Sequence, residues 1–314
     1  MNITLFNSSC FDAFKNIPDQ SVDMVCVDPP YGTTGIEWDK VLDFVEMWKE
    51  LERIVKPKGN IVIFGSQPFT SLVVASKISW FRHELIWNKN KCGSPGLAKF
   101  RPQKIHENIM IFSKESGGTY NPIMEEGEAY KREAKDKVKG YGTGKNSHGY
   151  GFSNNGKPFL GGENHGTRYP KSILHASRNF SAQQTVHATQ KPTNVLNWLI
   201  MTYSNPGDTV MDFTMGSGSC GVSAKLTGRN FIGVEMSKEY FDIATARISH
   251  ADENIVSTTD KQLSTQLPDN VQTTPDEKYE SGVLEVIRNP EAVVKTKKTP
   301  KVKTNPLIDK FIES

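Results

Sequence analysis

Thr209-Val210-Met211-Asp212-Phe213-Thr214-Met215-Gly216-Ser217-Gly218-Ser219 runs from a short apolar stretch into a loop with two glycines, and Cys220 opens a segment with helical spacing. This order predicts a strand, a tight loop and a helix ending near Thr227. Glycine lets the backbone turn sharply and pass close to a ligand. Asn230-Phe231-Ile232-Gly233-Val234 reads as the next strand and ends on Glu235. An acid at the end of that strand, about twenty residues past the glycines, can hold both hydroxyls of a ribose. It can equally serve as an N-terminal charge for the helix that starts after Ser237. A nicotinamide dehydrogenase shares this strand–loop–helix–strand–acid order, and its third glycine would fall on Cys220 or Gly221, so the glycines alone do not separate the two readings.

Working outward, apolar runs at residues 3–6, 24–27, 60–64, 83–87 and 108–112 read as further strands, and 41–55, 68–78, 193–203 and 238–249 as helices. Strands alternating with helices imply an α/β fold, a mostly parallel sheet covered on both faces. Lys58-Gly59 and Asn205-Pro206-Gly207-Asp208 read as turns that feed strands. The rhythm breaks over residues 113–185. Fourteen of the 25 glycines lie between Gly93 and Gly166, with Tyr120, Tyr130, Tyr141, Tyr150, Phe152, Phe159 and Tyr169 interleaved among polar residues. Residues 88–191 hold 17 Lys and Arg against 8 Asp and Glu, an excess of nine in a chain of formal net charge +3. A basic middle on an otherwise acidic chain suits a polyanion, or else a solvated insertion. Residues 251–314 are rich in Thr, Lys, Asp and Pro, with only Tyr279 and Phe311 as aromatics, and read as a disordered tail. The expected divisions are therefore 1–112, an insertion at 113–185, 186–250, and the tail. The four cysteines are scattered, which argues against a zinc site or disulfide framework and fits a reducing cytoplasm. Neither a secretory signal nor a membrane span is expected.

Asp28-Pro29-Pro30-Tyr31 follows the apolar run 24–27 and so sits at the carboxyl end of a strand, where open α/β sheets place ligands. The residue types suit an exocyclic aromatic amine, whose lone pair is delocalised into its ring. A carboxylate (Asp28) accepting one N–H and a backbone carbonyl (Pro29) accepting the other favour a tetrahedral, nucleophilic nitrogen. The two prolines fix the backbone, and Tyr31 offers a face for an extruded base. A plain strand-ending turn is the bland alternative for Asp-Pro.

With both motifs in view, the chain resembles the beta class of DNA amino-methyltransferases, in which the tetrad precedes the cofactor loop and the target-recognition region lies between them. The resemblance runs from about Ile3 to Ser249. It implies a Rossmann-like methyltransferase fold with a seven-stranded sheet and permuted motif order. It also implies S-adenosylmethionine as cofactor, double-stranded DNA as substrate and base flipping. Asp28, Pro29, Pro30 and Tyr31 would be catalytic. The cofactor would be held by Ser9, Cys10, Asp28, Lys191, Pro192, Asp212, Phe213, Thr214, Met215, Gly216, Ser217, Gly218, Ser219, Glu235 and Met236. Lys191 and Pro192 close the segment His187-Ala188-Thr189-Gln190-Lys191-Pro192, Gly32 to Asp39 resembles the loop that covers the target base, and His106-Glu107-Asn108-Ile109 resembles the strand before the recognition region. His106 and His187 are expected to be structural, because transfer from a sulfonium needs little early proton help.

Two departures stand out. Ser8-Ser9-Cys10 replaces the family's Gly-Asp after the first strand, and Phe213 stands where proline often follows the loop aspartate. An initial Asp favours adenine N6 as the target. N4-cytosine methylation, methylation of RNA or of a protein glutamine, and a DNA-binding protein without catalysis are the alternatives. A homodimer and a cognate restriction endonuclease are the protein partners the resemblance allows, with no membrane partner and no metal.

Overall fold

The two apolar motif strands are neighbours. In the computed structural model, which describes residues 1–32, 39–90, 96, 98–132, 162–175 and 191–251, the chain opens with β1 (Ile3–Phe6), α1 (Cys10–Phe14) and β2 (Val22–Val27). It continues through α2 (Phe44–Ile54), β3 (Val55–Gly65), α3 (Phe69–Ser76), β4 (Phe81–Asn88) and β5 (His106–Ser113). Four short strands follow, β6 (Glu125–Glu126), β7 (Tyr130–Arg132), β8 (Gly162–Asn164) and β9 (Thr167–Arg168), and then β10 (Ile173–His175). The last part holds α4 (Thr193–Tyr203), β11 (Thr209–Asp212), α5 (Ser219–Leu226), β12 (Asn230–Val234) and α6 (Lys238–Ser249). The main sheet has the order β1-β12-β11-β2-β3-β5-β4-β10. Within this sheet, among the described residues, only the pairs β3–β5 and β5–β4 are antiparallel.

Burial on both faces explains the near-continuous apolar strands. Along β2, Val25 and Val27 point into one core with Ala13, Phe14, Met47, Leu51, Phe69 and Val73 from α1, α2 and α3. Met24 and Cys26 point into the other, with Leu196, Leu199, Ala224 and Ile248 from α4, α5 and α6. Period-two alternation thus assigns one helix set to each face. The helices start where side chains satisfy free amides. Ser9 accepts from Asp12 N at the start of α1, Asp43 from Glu46 N at α2, and Ser237 from Tyr240 N at α6.

The sheet has eight strands where seven were expected. The extra one, β10, comes from the insertion and pairs in parallel with β4 from Ile173↔Ile86 to His175↔Asn88, covering amide and carbonyl groups that an edge strand leaves open. The turn expected at Lys58-Gly59 lies within β3, where residues 56–59 are accommodated as an irregularity between the pairs Val22↔Val55 and Met24↔Asn60. The near ends of the insertion are ordered, since β6 pairs with β9 and β7 with β8. The expected tail, most of the base-covering loop and the segment 187–190 lie outside the described residues. Among the described residues, no helix is long and apolar enough to cross a membrane.

Candidate active site

From β2 the chain moves outward to β3, and from β11 it moves the opposite way to β12. The crevice between β2 and β11 is therefore a topological switch point, where α/β sheets bind ligands at the strands' carboxyl ends. Asp28 leaves β2 at that point, Asp212 ends β11, and Glu235 follows β12 one strand further along. The pairs Val210↔Met24 and Met211↔Val25 fix the register that sets both motifs side by side. They touch directly, for the Thr214 hydroxyl donates to the Asp28 carbonyl at 3.3 Å.

Both carboxylate oxygens of Asp28 have partners. The Tyr31 hydroxyl donates to Oδ1 at 2.5 Å, and Lys191 Nζ lies 2.5 Å from Oδ2. The same ammonium lies 3.2 Å from Glu107 Oε2, and Lys89 Nζ lies 2.9 Å from Glu107 Oε1. Burial alone would lower the Lys191 ammonium, but Asp28 and Glu107 outweigh it and hold it above the usual lysine value. Burial likewise works to raise Glu107, and the ammonium groups of Lys191 and Lys89 overcome it and bring it down to about 2. Tyr31 is driven well above a free phenol by burial first and then by Asp28 and Glu107, so it remains a protonated donor. Its ring packs 5.0 Å from that of Phe69.

The loop after β11 is built on backbone. Gly216 and Gly218 have φ of +50° and +81°. A Cβ on Gly216 would meet nothing within 4 Å, whereas one on Gly218 would lie 2.8 Å from the Ala244 Cβ. One glycine thus leaves bare backbone facing open space, and the other permits close packing on α6. Glu235 ties the loop to α6, accepting from Gly216 N at 3.0 Å and from Ser237 N at 2.7 Å. Asp212 accepts from Thr214 N at 3.1 Å. Burial above all, with the charges of Asp28 and Glu235 behind it, pushes its carboxyl up to about 8, against the pull of the Thr214 amide. A buried carboxyl in this condition favours a cationic neighbour.

The family model described as DNA methylase matches residues 22–246. The chain belongs to the DNA methylase family. The type II methyltransferase M1.MboII of Moraxella bovis is 31% identical over 255 residues, 75% of this chain and 92% of that protein. The DNA adenine methyltransferase YhdJ of Escherichia coli (strain K12) is 28% identical over 268 residues, 79% of this chain and 83% of that one. Among solved structures, the cytosine-N4-specific PvuII DNA methyltransferase has a TM-score of 0.57 at 16% identity, covering 84% of this chain and 93% of its own, a likeness of fold alone.

In this DNA methylase the remaining expected site residues divide. The side chains of Phe213 and Met215 are core residues, Phe213 packing edge-on to Phe14 at 5.5 Å. Those of Ser217 and Ser219 face Arg247 of α6 at 2.8 and 3.4 Å. Ser9 is engaged in capping α1, its hydroxyl 2.8 Å from Asp12 Oδ2. Cys10 is buried, and burial pushes its thiol up to about 11. Pro192 is buried at the start of α4, and Met236 is exposed. Lys191, expected along the cofactor, is placed on Asp28. Glu107 and Lys89 were not expected in the site. Glu107 is the one acid of its strand, which is otherwise apolar from Ile109 to Phe112. That was a usable signal, but the direction of β5 was not legible. Because β5 runs antiparallel, Trp87 pairs with Glu107 and Gly65 with Asn108, and its amino end reaches the carboxyl edge of the sheet.

Proposed function

We propose that this DNA methylase transfers a methyl group from S-adenosylmethionine to N6 of adenine in duplex DNA, with the target base turned out of the helix into the crevice between β2 and β11. The observation that carries the reading is the contact of the two motifs, Thr214 Oγ1 on the Asp28 carbonyl at 3.3 Å. It sets an amine-binding tetrad beside a loop suited to an adenosyl cofactor. The name of YhdJ supports adenine as the base.

The residues present fit the cofactor. Glu235 has lone pairs left for ribose hydroxyls after accepting from the amides of Gly216 and Ser237. The open backbone at Gly216 admits close approach, and the carboxyl of Asp212 suits a cation. When bound, S-adenosylmethionine supplies a methyl group already activated on a sulfonium. Asp28 accepts one N–H of the target amine and the Pro29 carbonyl the other, which concentrates the lone pair on nitrogen. The proton in excess after transfer passes to Asp28 and on to solvent. The Tyr31 ring helps to exclude water, and positioning supplies most of the acceleration. The insertion at 113–185 reads bases, with lysine and arginine on phosphates. A homodimer, a cognate restriction endonuclease and a cytoplasmic location are further parts of this proposal.

The test is nucleoside analysis of plasmid DNA incubated with the protein and tritiated S-adenosylmethionine. N6-methyladenine is the expected product, and Asp28→Ala should lower its formation by about two orders of magnitude or more. N4-methylcytosine as sole product would overturn the choice of base. No labelled nucleoside at all would overturn the reading.

A further inference from the structure

Four charged side chains form an alternating row across the strand ends: Lys89, Glu107, Lys191 and Asp28, with gaps of 2.9, 3.2 and 2.5 Å. The inner two are the most enclosed, with side chains 7% exposed for Lys191 and 11% for Glu107. Buried ion pairs are weak devices for stability, because desolvation offsets most of their attraction. Their placement therefore asks for another explanation, and the row ends on the carboxylate that faces the crevice.

The geometry supplies one. A lysine ammonium is a compact charge on a flexible four-carbon stem. Held only by Asp28, it could swing and take the carboxylate with it. Glu107 fixes it from the opposite side, and Glu107 is fixed in turn by Lys89 and by its place in β5, between β3 and β4. The Phe64 ring lies 5.1 Å from the ammonium and restricts it further. With Oδ2 of Asp28 occupied by Lys191, Oδ1 is the oxygen left to meet an amine once Tyr31 shares or yields its hydrogen bond.

We propose that Glu107 is a positioning residue for methyl transfer, acting through Lys191 to hold Asp28 with Oδ1 toward the target amine. The inference rests on the reading that Asp28 binds that amine. On this proposal Glu107 acts through Lys191 and not on the base or the methyl donor, so its loss should slow the chemical step and leave both binding steps nearly unchanged.

Single-turnover methylation of an adenine-containing duplex, with separate measurement of DNA and S-adenosylmethionine affinity, tests this on the full chain. Glu107→Gln should slow the turnover by about tenfold to a hundredfold, the cost of a misaligned reacting group. Both affinities should stay within about threefold, since only interactions made in the transition state are lost. Glu107→Asp, which keeps the charge, should recover part of the rate. Lys191→Met should be slower still, and the double variant no slower than Lys191→Met alone, because residues acting in series are not additive. Thermal unfolding of each variant, and its retained cofactor affinity, separate a slow folded enzyme from a damaged one. Full rate in Glu107→Gln, a loss confined to either affinity, or additive losses in the double variant would overturn the inference alone. A wild-type chain that methylates no duplex would overturn the functional reading, and the inference with it.

Discussion

The Tyr31 hydroxyl donates a 2.5 Å hydrogen bond to Oδ1 of Asp28 while its ring lies against Phe69. The two parts of the side chain therefore do different jobs. The hydroxyl occupies the oxygen that an amine would use, and the ring builds the apolar wall of the crevice. Tyr31→Phe removes only the first, and an incoming amine can take the vacated position, so the single-turnover rate should fall by no more than about tenfold. Tyr31→Ala removes the wall and a stacking face worth about 1–3 kcal/mol. Its rate should fall by at least about another tenfold. Equal losses in the two variants would contradict this division.

Glu235 accepts amide hydrogens from both Gly216 and Ser237, linking the glycine loop to the start of α6. Glu235→Ala should weaken S-adenosylmethionine binding by about 1.5–3 kcal/mol for each charged hydrogen bond lost. Isothermal calorimetry reads the change directly. An unchanged affinity would remove Glu235 from the cofactor site and leave it as a loop-to-helix tie.

The two loop glycines should fail differently. A Cβ on Gly218 would press on Ala244 at 2.8 Å, and the φ of +81° is strained for alanine. Gly218→Ala should cost about 1–3 kcal/mol of stability, measured by denaturant unfolding. Gly216→Ala meets no neighbour, so only backbone strain of about 1 kcal/mol remains. Its larger effect should be on cofactor affinity, because the new methyl group stands in the space left for a ligand.

Burial pushes the Asp212 carboxyl from the ordinary aspartate value near 4 up to about 8. The folded chain then holds a proton that the unfolded chain has released. Asp212 therefore favours folding fully at low pH, and that contribution is lost as pH rises from about 4 through about 8, by up to about 1.4 kcal/mol per pH unit. Asp212→Asn should flatten the fall of the cofactor-free protein's Tm between pH 5 and pH 8. Binding a cation beside Asp212 should expel the proton, so that the binding enthalpy of S-adenosylmethionine near pH 7 varies with the ionisation enthalpy of the buffer. Parallel pH profiles for the wild type and Asp212→Asn would refute the assignment.

Strand positions were legible because a strand buried on both faces is apolar along its middle, as residues 24–27 and 109–112 are. The tetrad and the glycine loop were legible because each combines residue types that chemistry or backbone geometry requires locally. The partners of Asp28 were not. Lys191 stands 163 positions away from it, and the resemblance placed that lysine along the cofactor. The side-chain directions of the loop residues Phe213, Met215, Ser217 and Ser219 were not legible either, two pointing into the core and two onto Arg247.

The sequence by itself determined the α/β class and the order of motifs and pointed to Asp28, Tyr31, Asp212 and Glu235 as candidate site residues, because hydrophobic period, glycine content and acid placement are local properties of the chain. Only the tertiary structure decided that β5 runs antiparallel and brings Glu107 to the ligand edge, that β10 extends the sheet, and that Lys191 lies between two carboxylates. Strand direction and ion pairing depend on which distant segments share a sheet edge. That choice is made by the packing of the whole core, and no window of neighbouring residues encodes it.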